Sequence, residues 1–201
     1  MKAMLTLEGQ MLEWQYKLIK ALAFIYKKPS FSDEDFKKYY EDQHAPLAKS
    51  LLTFDGYERN YIHSDFNPLF KDLGSISIFK YESNKSLEIL SNQMLSDAGD
   101  SLRKDELNFM DVEKNFYIFT ESKEIGTFKF SKKVFYLARQ AQGIDIMNNM
   151  RGIAKISDNL VTGHESIVGV PEYAITSEAT LEDLELIASE HPQAIFAQSV
   201  S

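Results

Sequence analysis

Lys27-Lys28-Pro29-Ser30-Phe31-Ser32-Asp33-Glu34-Asp35-Phe36-Lys37-Lys38-Tyr39-Tyr40-Glu41-Asp42-Gln43-His44-Ala45-Pro46-Leu47 is the stretch whose reading decides the fold. Before it, Leu18 to Tyr26 (LIKALAFIY) is short and apolar apart from Lys20, as in a strand covered on both faces. Ser32-Asp33-Glu34-Asp35 then supplies an N-cap and places acids in the first turn, where the helix dipole favours them. Phe36, Tyr40, His44, Leu47 and Leu51 recur at helical spacing, so one stripe faces a core. Pro46 has no N–H, so the carbonyl of Asp42 loses its helical donor, and Ala45 is biased away from helical angles. The sequence therefore predicts a broken helix with His44 at its end, on the inward face.

Downstream, Gly56 opens a second strand, Tyr57 to His63. Its alternation puts Tyr57, Arg59, Tyr61 and His63 on one face and Glu58, Asn60 and Ile62 on the other. Ile76 to Tyr81 is a third strand. A helix follows from about Ser86 to Met110, and Asn115 to Glu121 is a fourth strand. The order strand, helix, strand, strand, helix, strand is that of a ferredoxin-like βαββαβ unit, whose two helices leave one sheet face needing a partner.

The rest of the chain supplies one. Lys133 to Ala138 reads as a strand, Ile144 to Ile156 as a short helix, Val161 to Val170 and Glu172 to Thr176 as strands. A helix capped at Thr180 runs through Ile187, and a final strand spans Ala194 to Val200. Phe79, Ser83, Ser86-Leu87-Glu88 and Leu90 match Tyr173, Ser177, Thr180-Leu181-Glu182 and Leu184 without gaps. The expected class is therefore α+β: two ferredoxin-like units in tandem, packed face to face in a dimeric-α+β-barrel-like arrangement, the second degenerate. Residues 1–16 form an N-terminal extension, 17–124 the first unit and 125–201 the second.

Composition narrows the function. The net charge of −8, from 30 acidic against 22 basic residues, argues against nucleic acid and anionic membranes as partners. The chain has no cysteine, which excludes disulfides, thiolate catalysis and cysteine-held metals. Neither a signal-like start nor a membrane-length apolar run is present, so a cytoplasmic protein is expected. With no GxGxxG or GxxxxGK[ST] and only 4 histidines, neither an organic cofactor nor a metal is expected.

Residues 18–124 resemble EthD-type proteins of the dimeric α+β barrel superfamily. The resemblance rests on Lys27-x-Pro29, Ser32-x-Glu34-x-Phe36-x-x-Tyr39-Tyr40-x-x-x-His44-Ala45-Pro46-Leu47, Gly56-Tyr57-x-Arg59 and Asp105-Glu106-x-x-Phe109-x-Asp111. It implies sheets paired into a barrel with a small-molecule cavity, formed within one chain or by a homodimer through the sheet or barrel faces. Such relatives include isomerases, dehydratases and cyclases, and in lactone-isomerase relatives a histidine resembling His44 takes part in proton transfer. Others in the superfamily are haem-binding proteins or cofactor-free monooxygenases.

His44 is thus the first catalytic candidate, its charge balanced between a helix end that favours the cation and burial that favours the neutral ring. The alternative is a structural histidine hydrogen-bonded to the broken helix end. Tyr40, one turn earlier, is a candidate donor to a substrate carbonyl or enolate. If its face of the second strand lines the barrel, Arg59 is an anion clamp, His63 a second proton-transfer group, and Tyr57 and Tyr61 substrate contacts. If that face meets solvent, the group is an ordinary polar strand face. Two functions follow: a small-molecule enzyme doing proton-transfer chemistry without an organic cofactor, or a non-catalytic ligand-binding accessory protein of an oxidative pathway. An EthD-associated oxidoreductase is the third possibility.

Overall fold

The computed structural model of the protein describes residues 18–62, 64–125, 132–138, 153–164, 173–179 and 194–200. The strands are β1 (Leu18–Tyr26), β2 (Gly56–Ile62), β3 (Leu73–Tyr81), β4 (Phe116–Ile125), β5 (Lys132–Ala138), β6 (Ile153–His164), β7 (Tyr173–Ala179) and β8 (Ile195–Val200). They form one closed antiparallel barrel in the order β1-β3-β2-β8-β5-β7-β6-β4. The strand sequence β4-β1-β3-β2 in the first half is matched by β8-β5-β7-β6 in the second.

The two sheets were expected to pack face to face. They are instead hydrogen-bonded edge to edge, at β2–β8 and at β4–β6. The physical reason is that a face-to-face sandwich would leave four unpaired strand edges, whereas closure removes them all. The barrel closes without a second copy of the chain. The proposed boundary after residue 124 falls inside β4, which extends to Ile125 to pair with β6.

Alternation along the strands separates two cores. Leu22 and Phe24 of β1, Ile62 of β2, Ile76 and Ile78 of β3 and Ile118 of β4 point into the barrel, where they meet Phe135, Ile195 and Ala197 from the second half. Phe24 stacks on Phe116 there, with ring centroids 4.3 Å apart. Among the described residues these side chains pack together on the inner face of the barrel. The opposite face of β1–β4 carries Ala23, Ile25 and Tyr61 against Phe36, Tyr40, Ala45, Phe109 and Met110 from a helical layer.

That layer comprises α1 (Asp33–Tyr39), a π-helical turn (Tyr40–His44), α2 (Ala45–Leu51), α3 (Asn84–Met94) and α4 (Asp97–Phe109). The Ser32 side chain caps α1, accepting from the Asp35 N–H at 3.0 Å. Pro46 does not end this helix, and Ala45 stays helical at φ −64°, ψ −40°. The ladder widens instead: the Ala45 N–H reaches back to the carbonyl of Tyr40, so the helix crosses the missing Pro46 donor without stopping. The single helix expected from Ser86 to Met110 is two, because Ser96 caps a new start. Gly99 lets the ends meet, since a Cβ there would lie 2.1 Å from the Met94 carbonyl oxygen.

Two expectations in the second half are corrected. Residues 153–156, assigned to a helix, open β6, where backbone pairing to β7, and of Ile156 to Ile125 of β4, holds them extended. Ser177, matched to the helix-capping Ser83, lies within β7, so the gapless alignment does not reproduce the structural equivalence. The helix expected from Thr180 to Ile187 lies outside the described residues, as do residues 1–16. Among the described residues no helix is long and apolar enough to cross a membrane.

Gly74 sets the fit of the helical layer on the sheet, because a Cβ at this position would lie 2.5 Å from the Phe36 ring. Gly74→Ala is expected to cost about 1–3 kcal/mol in a urea unfolding experiment, the usual penalty of overpacking. A fragment of residues 18–121 lacks the partners that fill the barrel and pair with β2 and β4. It is expected to self-associate in sedimentation analysis; a monomeric, fully folded fragment would contradict the closed-barrel account.

Candidate active site

The sheet face beneath the helices is unevenly built. β1 presents Ala21 and Ala23, whereas their register neighbours are large: Ala21 lies opposite Phe79 and Phe119, and Ala23 opposite Ser77 and Tyr117. Small side chains on the central strand, flanked by aromatic ones, leave a trough that the helices roof. The result is a cavity of about 570 Å³, with Leu87, Leu90 and Met94 of α3 and Leu102 of α4 on its helical side. Such a volume suits a small, largely apolar molecule. It lies between sheet and helices, so the cavity is outside the barrel that was expected to contain it.

His44 lines this cavity and is only 4% exposed. Its Nδ1 lies 2.8 Å from Oδ2 of Asp105 on α4. The other carboxylate oxygen of Asp105 accepts from the Tyr39 hydroxyl at 2.8 Å, and Asn108 donates to that hydroxyl at 3.1 Å. A carboxylate fixed in this way makes Nδ1 the protonated nitrogen and leaves Nε2 as a lone-pair acceptor. Burial lowers the His44 pKa below its ordinary 6.5, outweighing the raising effect of Asp105. The imidazole is therefore neutral at pH 7, the form needed in a general base.

Tyr40, on the same turn, is wholly buried, its ring edge-on to His44 at 4.8 Å between centroids. Its hydroxyl accepts from Tyr57 at 2.9 Å and lies 3.0 Å from Ser77 Oγ. Burial pushes the Tyr40 phenol up to about 12, against the lowering influence of those hydrogen bonds, and carries Tyr57 well above its ordinary value. Both phenols stay protonated and can only exchange hydrogen bonds at neutral pH. Tyr40 and Tyr57 line the cavity with His44.

Arg59 and Tyr61 do not line it. Arg59 lies on the helix-facing side of β2, where its Nε and second terminal nitrogen donate to the two Glu41 oxygens at 3.0 and 2.8 Å. The Tyr61 hydroxyl donates to Glu41 Oε1 at 2.6 Å. Burial alone would raise the Glu41 carboxyl, but Arg59 and Tyr61 together hold it below the usual range. As placed, Arg59 braces the π turn against β2. His63 lies outside the described residues.

Sequence reasoning missed two residues, Asp105 and Glu106. Leu102 and Phe109 are buried on α4, and Glu106 falls between them at helical spacing, a carboxylate on an apolar stripe. That pattern was the available signal. Glu106 lines the cavity and has no hydrogen-bond partner among the described residues; burial raises its pKa to about 7, with Arg103 opposing. Among the described residues no group of three or more His, Asp or Glu is placed to hold a metal ion.

Comparison with known proteins adds the following. The overall fold is similar to an anthrone oxidase-like protein (11% identity, 92% of each chain covered, TM-score 0.58). It is similar as well to a Fusobacterium nucleatum protein provisionally assigned as a monooxygenase (7% identity, 92% of this chain and 94% of that one, TM-score 0.55). A third similar structure is provisionally assigned as a chlorite dismutase (10% identity, 92% and 96%, TM-score 0.54). At these identities the likeness concerns fold alone. No curated protein matches the chain in sequence. Residues 28–113, which carry α1, the π turn, α4 and hence the His44–Asp105 pair, match the family model of the EthD domain.

Proposed function

We propose that the protein is an enzyme that moves a proton on a small, largely apolar, oxygenated or aromatic compound held between sheet and helices. The observation that carries this reading is the Asp105–His44 pair on the wall of an apolar cavity. Asp105 holds the imidazole in one orientation and tautomer, and stabilises the imidazolium formed when Nε2 takes a proton, the role of the carboxylate in a hydrolase triad. Tyr40 and Tyr57 supply phenolic hydrogen bonds at the same wall. Isomerisation, dehydration and cyclisation all begin with such a proton abstraction.

The same first step serves an oxidative reading, in which the deprotonated compound then reacts with oxygen; the similar folds assigned as an anthrone oxidase-like protein and a monooxygenase favour keeping it. A ligand-binding accessory protein would use the cavity but not the Asp105–His44 geometry. The repeated strand order supports descent from two copies of one ferredoxin-like unit, with the first retaining the site.

Two experiments test the reading. Neutral ketones, lactones and phenols are incubated in deuterated buffer, and label incorporation is followed by proton NMR. His44→Gln should lower the rate about 10²–10⁴-fold while leaving the fold intact. The wild-type rate should rise with pH through a pKa below 6.5, because the base acts when unprotonated. Undiminished exchange in the variant, or ligand binding with no exchange for any compound, moves the assignment to a binding protein. For the cavity itself, Ala23→Leu fills the trough. It should weaken binding of a neutral naphthalene-based fluorophore by about tenfold or more, with little loss of thermal stability. Unchanged binding would place the ligand elsewhere.

A further inference from the structure

We propose that Glu106 is the second proton-transfer group of this site, delivering its proton to the carbonyl oxygen of the substrate, and that the cavity consequently takes neutral carbonyl compounds with an acidic neighbouring C–H. This rests on the reading of His44 as the base.

The geometry leads to it in three steps. First, Glu106 and His44 line one cavity: Glu106 follows Asp105 directly on α4, and Asp105 is the residue that holds His44. Second, the carboxyl has no hydrogen-bond partner among the described residues. Arg103, the sole cation among the described residues lining the cavity, donates instead to the Met94 carbonyl at 3.0 Å and to Asp100 at 2.7 Å. An unpaired carboxylate facing apolar walls is costly, and the group lowers that cost by keeping its proton. Third, a protonated carboxyl beside Asp105 offers no welcome to a carboxylate or phosphate ligand, whereas it is a strong donor to a carbonyl oxygen.

The proton balance closes without another reactant. Nε2 of His44 takes the proton from the carbon next to the carbonyl, and the released electron pair forms the C=C bond. The carbonyl π pair moves to oxygen, which takes the Glu106 proton. Enol, imidazolium and carboxylate result. Return of the His44 proton to the far end of an extended enol, with the hydroxyl proton going back to Glu106, gives an isomerised ketone.

Titratable and charged groups face Glu106 from its own helix, from the π turn and from the sheet. Asp105 and Arg103 share its helix, and the π turn contributes Tyr40 and His44. Tyr57, Tyr81 and Tyr117 line the cavity from β2, β3 and β4. Burial raises Tyr40, Tyr57 and Tyr81 above their ordinary values and lowers His44 below 6.5. Glu106, at about 7, is thus the lining group expected to change charge between neutrality and mildly alkaline pH.

The probe is 2-tetralone, a neutral bicyclic ketone, titrated by calorimetry into the full-length protein. Wild-type affinity should fall by about tenfold from about pH 6 to about pH 8, as the donor becomes an anion facing the carbonyl oxygen. Glu106→Gln keeps an N–H donor but cannot ionise, so its affinity should stay flat over that range, while His44→Gln should keep the wild-type fall. In deuterated buffer, Glu106→Gln should also slow exchange next to the carbonyl by about 10²-fold. A flat wild-type profile, no measurable binding of 2-tetralone, or the same fall in Glu106→Gln overturns the proposal. Loss of exchange in Glu106→Gln but not in His44→Gln would overturn the base assignment and leave the carbonyl recognition standing.

Discussion

The hydrogen bond between Asp105 and His44 joins the two parts of the helical layer on which the cavity depends. One partner comes from the π turn after α1 and the other from α4, distant in sequence but in contact through Phe109, whose ring lies 5.1 Å from the imidazole and 5.6 Å from Tyr40. The Asp105 carboxylate is braced by Tyr39, and the far side of the π turn is braced by the Glu41–Arg59 pair on β2. With both sides of the turn held, His44 and Tyr40 have little freedom to re-orient. Preorganisation of this kind is what an acid–base site requires, because a misaligned base loses most of its worth.

The barrel contributes rigidity rather than space. Described side chains of both halves pack on its inner face, and Asn67 ties the segment between β2 and β3 to Phe196 of β8 through its side-chain amide at 2.9 Å and its carbonyl at 2.8 Å. Described polar groups there are paired as well: Ser199 donates to Asn60, and Lys133 of β5 meets Glu58 of β2 across β8. A sheet backed by this packing cannot collapse into the trough left by Ala21 and Ala23. The void therefore persists between sheet and helices, where α3, with no fully buried residue, forms the least anchored wall. Ligand access through that wall is consistent with Leu95 at its end, which lines the cavity yet is 83% exposed.

Much of this was legible in the chain. Ser32, the acidic turn and the Phe36–Tyr40–His44 stripe located a helix and its inward face, because capping and periodicity are local signals. The strand order of the first half followed from element order. The effect of Pro46 was not legible: a missing N–H has two remedies, stopping the helix or widening a turn, and only packing against Gly74 and β2 chooses between them. The lining of β2 was equally ambiguous, since alternation yields two faces without saying which meets the helices. Asp105 and Glu106 were visible as residues of the family resemblance, yet their roles depend on contacts across the fold. Edge-to-edge closure rests on non-local pairing, which periodicity does not encode.

The central claim is that Asp105 fixes a neutral His44 with its proton on Nδ1. Nitrogen-15 NMR of histidine-labelled protein, with His44 identified by its loss in a His44→Gln spectrum, measures tautomer and pKa together. The account predicts the Nδ1–H tautomer at neutral pH and a titration midpoint below 6.5. An Nε2–H tautomer, or an imidazolium persisting above pH 7, would contradict it.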